Sequence, residues 1–502
     1  MTALRKDGAT FRILILGGGT AGWMAACLFA RRWPDAEVAL LESADIGIIG
    51  VGEGSTPQLK AFFDGLGLSE TEWMAKCNAT YKNGISFIGW SERPGQPRYF
   101  HPFPSPIDAH TAPAFAFNSH FRRQGFELDA SPDRFFLSAQ LARRRLAPKP
   151  ARNFPFDIAY GYHFDAYLVG ACLRDHAVAK GVRHLEGKAA AVDLSEAGDI
   201  AAITTEDGRR FEADLFIDAT GFRALLLQER LGVPFIRFEK NLFNDSAVVM
   251  PTPAEDGDPE AETTATALGA GWLWRIPLTN RSGNGYVYSS RYIDDDAAET
   301  ELRARLNLLD SETPARRLKM KVGRVAEHWR ANCLGVGLSQ GFIEPLEATA
   351  LHLVQTTVET FIALLEKGGF APTHRDEFNR AINARFEGVR DYIVCHYRVN
   401  LRRDTQYWRD NGANEHLSDS LRRILACWFS GGDMKAEIAG QDIEKYYALT
   451  SWLCLLGGYG NYPKTLKPPP EELRRFDLAV IDDFITRAAM NFPAHAAALS
   501  AR

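Results

Sequence analysis

What the chain lacks narrows its identity first. Its 502 residues include only seven cysteines, at 27, 77, 172, 333, 395, 427 and 454, and no two form a C-x-x-C pair. Neither a disulfide framework nor a zinc site is expected, and no metal is predicted. Long apolar runs are missing too. The first, residues 13–16, is too short for a signal h-region, and no later stretch reaches the roughly 18 apolar residues of a membrane span. The expected setting is cytoplasmic, with no membrane contact. There is no basic surplus: 58 Lys and Arg face 63 Asp and Glu, a net charge of −5. That excludes the clustered positive surface a nucleic-acid binder needs. The runs Arg143-Arg144-Arg145 and Arg402-Arg403 are short and read as solvated faces.

A chain this long exceeds what one growing core usually serves, so two structural regions, interleaved in sequence, are expected. Residues 11–16 (FRILIL) form an apolar run broken by Gly17-Gly18-Gly19-Thr20-Ala21-Gly22. An amphipathic helix follows to about residue 32, then a second strand over 37–42. This is the opening of an α/β, doubly wound sheet. Residues 164–180 read as a helix and 182–217 as short strands separated by turns. From about 352 to 455 helical spacing dominates, and a last helix is expected near 471–490.

The pattern Gly17-x-Gly19-x-x-Gly22 follows a strand and opens a helix. Glycines there let a pyrophosphate approach the N–H groups of a helix N-terminus, where the dipole favours anions. Glu42 ends the next strand, 20 residues after Gly22, where a carboxylate can hold a ribose hydroxyl pair. Alone the glycine pattern is weak; with strand, helix and acid in place it predicts dinucleotide binding. FAD follows from D-x-x-I-x-A-T-G at 214–221, together with L-G-V-G at 334–337 and G-F-I-E-P-L at 341–346, which resemble the later flavin-contacting segments of flavoprotein hydroxylases.

Five segments then carry a closer resemblance: G-G-G-T-A-G-W at 17–23, G-V-G-E-G-S-T-P at 50–57, Y-K-N-G-I-S-F-I-G-W at 81–90, W-L-W-R-I-P at 272–277 and E-P-L-E-A-T at 344–349. The chain resembles the flavin-dependent tryptophan halogenases over most of its length. The resemblance implies a flavoprotein-monooxygenase-like FAD-binding sheet with an additional, mostly helical substrate region. It implies an FAD-binding core over residues 1–370, touching FAD near 12–56, 182–223 and 333–351, and a helical region over 371–502 packing on the substrate site. The implied cofactor residues are Gly17, Gly19, Thr20, Ala21, Gly22, Glu42, Gly52, Ala189, Leu338 and Leu351.

By the same resemblance, reduced FAD, oxygen and chloride or bromide yield hypohalous acid, and an electron-rich aromatic such as indole or tryptophan is halogenated. Lys82 would hydrogen-bond the hypohalous acid or carry the halogen, and Glu347 would polarise the donor or neutralise the ring cation. Each has an ordinary reading as well: lysines are mostly exposed, and an acid is favoured at a helix N-terminus. Thr349 and Ala350 would bind halide through their N–H groups. His101, Phe103, Trp272, Trp274 and Trp452 would line the substrate, the paired tryptophans sharing one face of a strand and walling it from the flavin. No second nucleotide motif is evident, so a separate NAD(P)H-dependent flavin reductase is the expected partner; a homodimer is a permitted assembly.

The match departs in two places. Ala348 and Ala350 flank Thr349 where the family has Ser and Gly, and an alanine at 350 narrows the conformations open to a halide-binding turn, which favours bromide over chloride. No Asp or Glu lies between Tyr447 and Trp452 to meet an amino-acid ammonium, so indole is expected to outperform free tryptophan. Two other readings compete. An aromatic monooxygenase on the same scaffold is opposed by Lys82, Glu347 and the paired tryptophans. A non-catalytic FAD or prenyl-chain binding protein would give no oxygen-dependent product.

Overall fold

A computed structural model describes residues 10–43, 53–93, 97–254 and 256–501. The expected β-turn-α-β unit is there: strand Arg12–Leu16, helix Thr20–Arg32 and strand Glu37–Glu42. Four of the five residues of Arg12–Leu16 are buried, as in a strand covered on both faces. Arg12–Leu16 pairs in parallel with Glu37–Glu42 on one side and with Leu215–Asp218 on the other. The sheet extends in parallel to Arg183–Glu186 at one end and to Cys333–Gly335 at the other, with Trp329–Arg330 adding an antiparallel edge. Helix Thr20–Arg32 is packed between helices Ala166–Ala179 and Ala350–Lys367.

The stretch 182–217 divides its strands between two sheets. Arg183–Glu186 and Leu215–Asp218 join the parallel sheet, whereas Ala189–Leu194, Ile200–Thr205 and Arg210–Phe211 form a separate antiparallel one. A larger mixed sheet runs in the order Arg316–Lys319, Ser246–Pro253, Arg281–Tyr288, Gly271–Pro277, Thr263–Leu268, Gly84–Ile88, Arg98–Pro102. A small sheet joins Glu53–Gly54, Gly161–Phe164 and Thr80–Lys82.

The helical stretch is built from Ala350–Lys367, Arg375–Val399, Gln406–Ala413, Asp419–Phe429, Met434–Gly440 and Leu449–Gly458. The single helix expected near 471–490 is instead a short 3-10 turn, Glu471–Leu473, and helix Leu478–Ala489, capped by Asp477, with a further helix His495–Ser500 beyond it. Apolar side chains from strand Arg12–Leu16, the mixed sheet and the helices up to residue 492 form one continuous core. Helix Leu449–Gly458 packs directly on strand Arg98–Pro102, which brings the late helices onto the residues around 101. Among the described residues, no helix is long and apolar enough to cross a membrane and no cluster of His, Cys, Asp or Glu could hold a metal ion.

Candidate active site

The glycine turn has the geometry a dinucleotide requires. Gly17 sits at φ 112°, and a Cβ there would lie 2.3 Å from the Ala219 carbonyl oxygen, so strand ends 16 and 218 can close only around glycine. At Gly19, the N-cap of helix Thr20–Arg32, a Cβ would meet nothing within 4 Å. That open space borders the helix's unpaired first N–H groups, where a pyrophosphate would fit. Gly17, Gly19, Thr20, Ala21 and Gly22 are thus gathered at one helix end. Ala21 is met by the turn Gly337–Ser339, which includes Leu338; the Gly337 and Ala21 positions approach so closely that a Cβ at 337 would be 2.6 Å from that of Ala21. Gly187 N donates to the Glu42 carbonyl at 2.8 Å, which sets Ala189 two residues from the end of that strand. Leu351 is the second residue of helix Ala350–Lys367. Gly52 lies outside the described residues.

Two groups here escaped the sequence reading. Glu42 Oε1 lies 2.8 Å from His184 Nε2, so the acid assigned to the ribose has a partner on the neighbouring strand of the sheet, Arg183–Glu186. Asp218 is fully buried and takes four hydrogen bonds: from Thr220 N and Oγ1, and from the N–H groups of Leu226 and Leu227. It fixes the A-T-G turn beside Val336, whose N–H reaches the Asp218 carbonyl at 2.9 Å. The donor set and open cradle fit FAD.

Lys82 ends strand Thr80–Lys82 and is completely buried, its Nζ without a hydrogen-bond partner in the protein. Burial pushes its pKa down to about 7, against the opposing pull of Glu347. Gly54 permits this placement, since a Cβ there would come within 3.2 Å of the amine. Strand Gly84–Ile88 pairs antiparallel with Arg98–Pro102, Ile85 opposite His101 and Gly84 opposite Pro102. That register carries Phe103 back to Lys82, whose Nζ lies 5.6 Å from the Phe103 ring centre.

Glu347 is 5% exposed, and burial raises its pKa while His101 and Lys82 pull the other way. Its Oε1 lies 2.8 Å from His396 Nε2, at ion-pair distance but off the axis of a hydrogen bond. His396 is fully buried, and burial holds it well below the usual histidine range, so it is neutral. Tyr459 OH lies 2.8 Å from His396 Nδ1; a hydroxyl donating there leaves the ring proton on Nε2, facing Glu347. A lone histidine in helix Arg375–Val399 gives no motif by which sequence could find it. Among the described residues this ring is the imidazole touching Glu347.

Aromatic rings surround these groups. Tyr392 packs at 6.3 Å from His101 and 4.8 Å from Trp452, and stacks on Tyr447 at 3.6 Å with planes 5° apart. The expected residues Lys82, Glu347, His101, Phe103 and Trp452 therefore converge. Trp272 and Trp274 share one face of strand Gly271–Pro277, their rings 6.1 Å apart. Trp272 Nε1 donates to Glu344 Oε2 at 2.8 Å, and the same oxygen accepts from Asn244 Nδ2 at 2.8 Å and Tyr397 OH at 2.5 Å. Glu344 is thus the anchor that fixes the tryptophan.

One expectation about the halide turn needs correction. Ala350 opens helix Ala350–Lys367 and is not among the residues of positive φ; the left-handed residue is Ala348, at φ 54°. The strain that glycine would relieve therefore falls before Thr349, not after it.

A family model described as tryptophan halogenase matches residues 12–473. The chain is 36% identical over 442 residues to the 7-chloro-L-tryptophan 6-halogenase KtzR of Kutzneria sp. (strain 744), covering 83% of this chain and 84% of that one. It is 34% identical over 494 residues to the tryptophan 7-halogenase RebH of Lentzea aerocolonigenes, covering 92% of each. Among solved structures, Tar14, a tryptophan C-6 flavin-dependent halogenase (chlorinase) from taromycin biosynthesis, superposes with a TM-score of 0.84 at 33% identity, over 98% of this chain and 99% of that one. By this family match and these relatives, the chain belongs to the tryptophan halogenase family.

Proposed function

We propose that this halogenase uses reduced FAD, oxygen and chloride or bromide to place halogen on an indole ring, with Lys82 and Glu347 as the catalytic residues. The observation that carries this reading is the burial of both groups in one aromatic pocket, where each favours the charged form of the other against the cost of burial. When bound at the glycine cradle, reduced FAD with oxygen and halide supplies hypohalous acid. A separate NAD(P)H-dependent flavin reductase delivers the reduced cofactor.

The protein's own residues do the rest. Thr349 and Ala350 offer N–H groups at the start of helix Ala350–Lys367, a site that favours halide. Lys82 Nζ, unpaired in a dry pocket, donates to the oxygen of hypohalous acid and directs its halogen towards the ring. His101, Phe103 and Trp452 hold that ring by its faces. As the carbon–halogen bond forms, hypohalous acid leaves its hydroxide, which takes a proton from the Lys82 ammonium to become water, and positive charge develops on the ring; the proton later released by the ring returns to Lys82 through Glu347. Glu347 stabilises that charge and takes the proton from the substituted carbon. His396, held by Tyr459, is a positioning residue that keeps the carboxylate aimed. Trp272, anchored by Glu344, and Trp274 wall the substrate from the cofactor, so oxygen is not inserted directly.

The test is turnover of the purified protein with FAD, a flavin reductase, NADH and indole, with bromide, chloride or neither. Mass spectrometry should detect halo-indole only with halide, and more with bromide. Hydroxylated indole as the main product, with or without halide, would return the protein to the monooxygenase reading.

A further inference from the structure

Helix Arg375–Val399 sends one stripe of side chains into the substrate region. His396 touches Glu347, and Tyr392, four residues earlier, packs on His101, Tyr447 and Trp452. Two turns further back on the same stripe stands Arg385, a rise of about 10 Å from Tyr392. Its guanidinium is half-buried, and none of the described carboxylates forms an ion pair with it. Its recorded polar neighbour is another base, His352 Nε2, at 3.5 Å from Nη1. The Arg385 Cζ lies 5.4 Å from the Tyr446 ring centre, and Tyr446 reaches this position because residue 388 is glycine: a Cβ there would be 2.4 Å from the Tyr446 ring.

Around this cation, polar atoms are left without partners. The Tyr447 hydroxyl and His352 Nδ1 are buried and make no hydrogen bond within the protein. Tyr447 is electrostatically in range of both Glu347 and Arg385, and its ring stacks on Tyr392, which packs against His101 and Trp452. Burial alone lowers the Arg385 pKa, with Tyr446 and Tyr447 as its opposing influences and no acid among them. A half-buried cation without a counter-charge is a ready partner for an anion. Two orphaned groups beside it, the Tyr447 hydroxyl and His352 Nδ1, describe a place for an anion that the folded chain itself does not supply.

We propose that Arg385, Tyr447 and His352 form an anion-accepting subsite, and that the preferred substrate is an indole whose side chain ends in a carboxylate and bears no ammonium. This rests on the indole-halogenating reading above. The carboxylate would take the Arg385 guanidinium and the Tyr447 hydroxyl as donors while the ring lies against His101, Phe103 and Trp452. An ammonium would meet Arg385 with like charge and lack the acid missing between Tyr447 and Trp452.

The experiment compares indole-3-propionate, indole, tryptamine and tryptophan as substrates of the reductase-coupled enzyme with bromide, reading kcat/KM from product mass. The expected order places indole-3-propionate at least tenfold above indole and tryptamine below indole. Arg385→Gln should remove most of the propionate-to-indole ratio within one preparation, and Arg385→Lys should retain part of it. A ratio near one in the parent enzyme, a preference for tryptamine, or a ratio unchanged in Arg385→Gln would overturn the proposal. Should no indole be halogenated, the indole-halogenating reading fails by itself. Calorimetric Kd values for indole-3-propionate and indole, on the parent and Arg385→Gln proteins, then decide the subsite: tighter propionate binding that depends on Arg385 supports it, and equal binding refutes it.

Discussion

Replacing both groups proposed as catalytic by neutral side chains of similar size, in the double variant Lys82→Met/Glu347→Gln, should abolish halogenation and stabilise the fold. Lys82 is pushed from its ordinary 10.5 to about 7. At about 1.36 kcal/mol for each tenfold change in proton affinity, holding it protonated inside the protein costs roughly 4–5 kcal/mol. Changing Glu347 together with it avoids stranding a lone carboxylate. Losing the Phe103 contact returns about 1 kcal/mol, which leaves a net gain near 3 kcal/mol. With unfolding entropy of about 2.1 cal/mol/K per residue, a chain of 502 residues gains about 3 °C in Tm. The pH dependence follows from the sign. Folding lowers the proton affinity of Lys82, so its destabilisation is fully present below about pH 7 and fades as pH rises towards 10.5. Scanning calorimetry from pH 6 to 10 should show the double variant melting higher at pH 6, with the gap narrowing towards pH 10 as the Lys82 part is lost and the part due to the buried Glu347 carboxylate remains. A variant that melts lower than the parent at pH 6, or a gap independent of pH, would refute the claim that the site stores this strain.

Three further outcomes are expected. Glu347→Gln alone should slow halogenation on the order of 10²-fold, the cost of one preorganised electrostatic contact; unchanged turnover in the same assay would reduce Glu347 to a helix-terminal acid. His396→Phe keeps a ring between Phe87 and Trp90 but removes the nitrogen beside Glu347. The acid limb of kcat should then move up, as expected for losing the imidazole N–H dipole beside the carboxylate, whereas a purely packing role would lower kcat without moving that limb. Glu344→Ala orphans the Asn244, Trp272 and Tyr397 donors and should destabilise the protein by roughly 3 kcal/mol. By freeing Trp272 it should also lower product formed per oxygen consumed; tight coupling in this variant would mean that Trp272 has no part in the wall.

The nucleotide half of the fold was legible because its constraints are local. Gly17 and Gly22 are required by a turn whose closeness excludes a side chain, Gly19 leaves the cradle open, and the strand before and helix after them follow from hydrophobic pattern alone. The division of 182–217 between two sheets was not legible, since Ala189–Leu194 and Arg183–Glu186 are both short strands and only their distant partners separate them. Lys82, Glu347, His101 and Phe103 were found through motif resemblance, not through any rule of spacing. His396, Tyr459, His184 and Arg385 carry no motif. They reach the site because helix Arg375–Val399, the C-terminal end of helix Leu449–Gly458 and strand Arg183–Glu186 pack against elements far away in sequence. The misplacement of the strained residue has the same origin: whether position 348 or 350 takes positive φ depends on where the helix starts, and composition does not fix that within two residues.

The central claim is that Lys82 acts on the halogen after the flavin chemistry is complete, and one pair of rates tests it most directly. Lys82→Ala and the parent protein, each loaded with reduced FAD, are mixed with oxygenated buffer containing bromide and indole. Flavin reoxidation is followed by absorbance, and bromo-indole is quantified after quenching. The account predicts equal FAD affinity, reoxidation at the parent rate and no bromo-indole from Lys82→Ala. Bromo-indole above a few per cent of the parent yield, or a variant that no longer binds or reoxidises FAD, would contradict it.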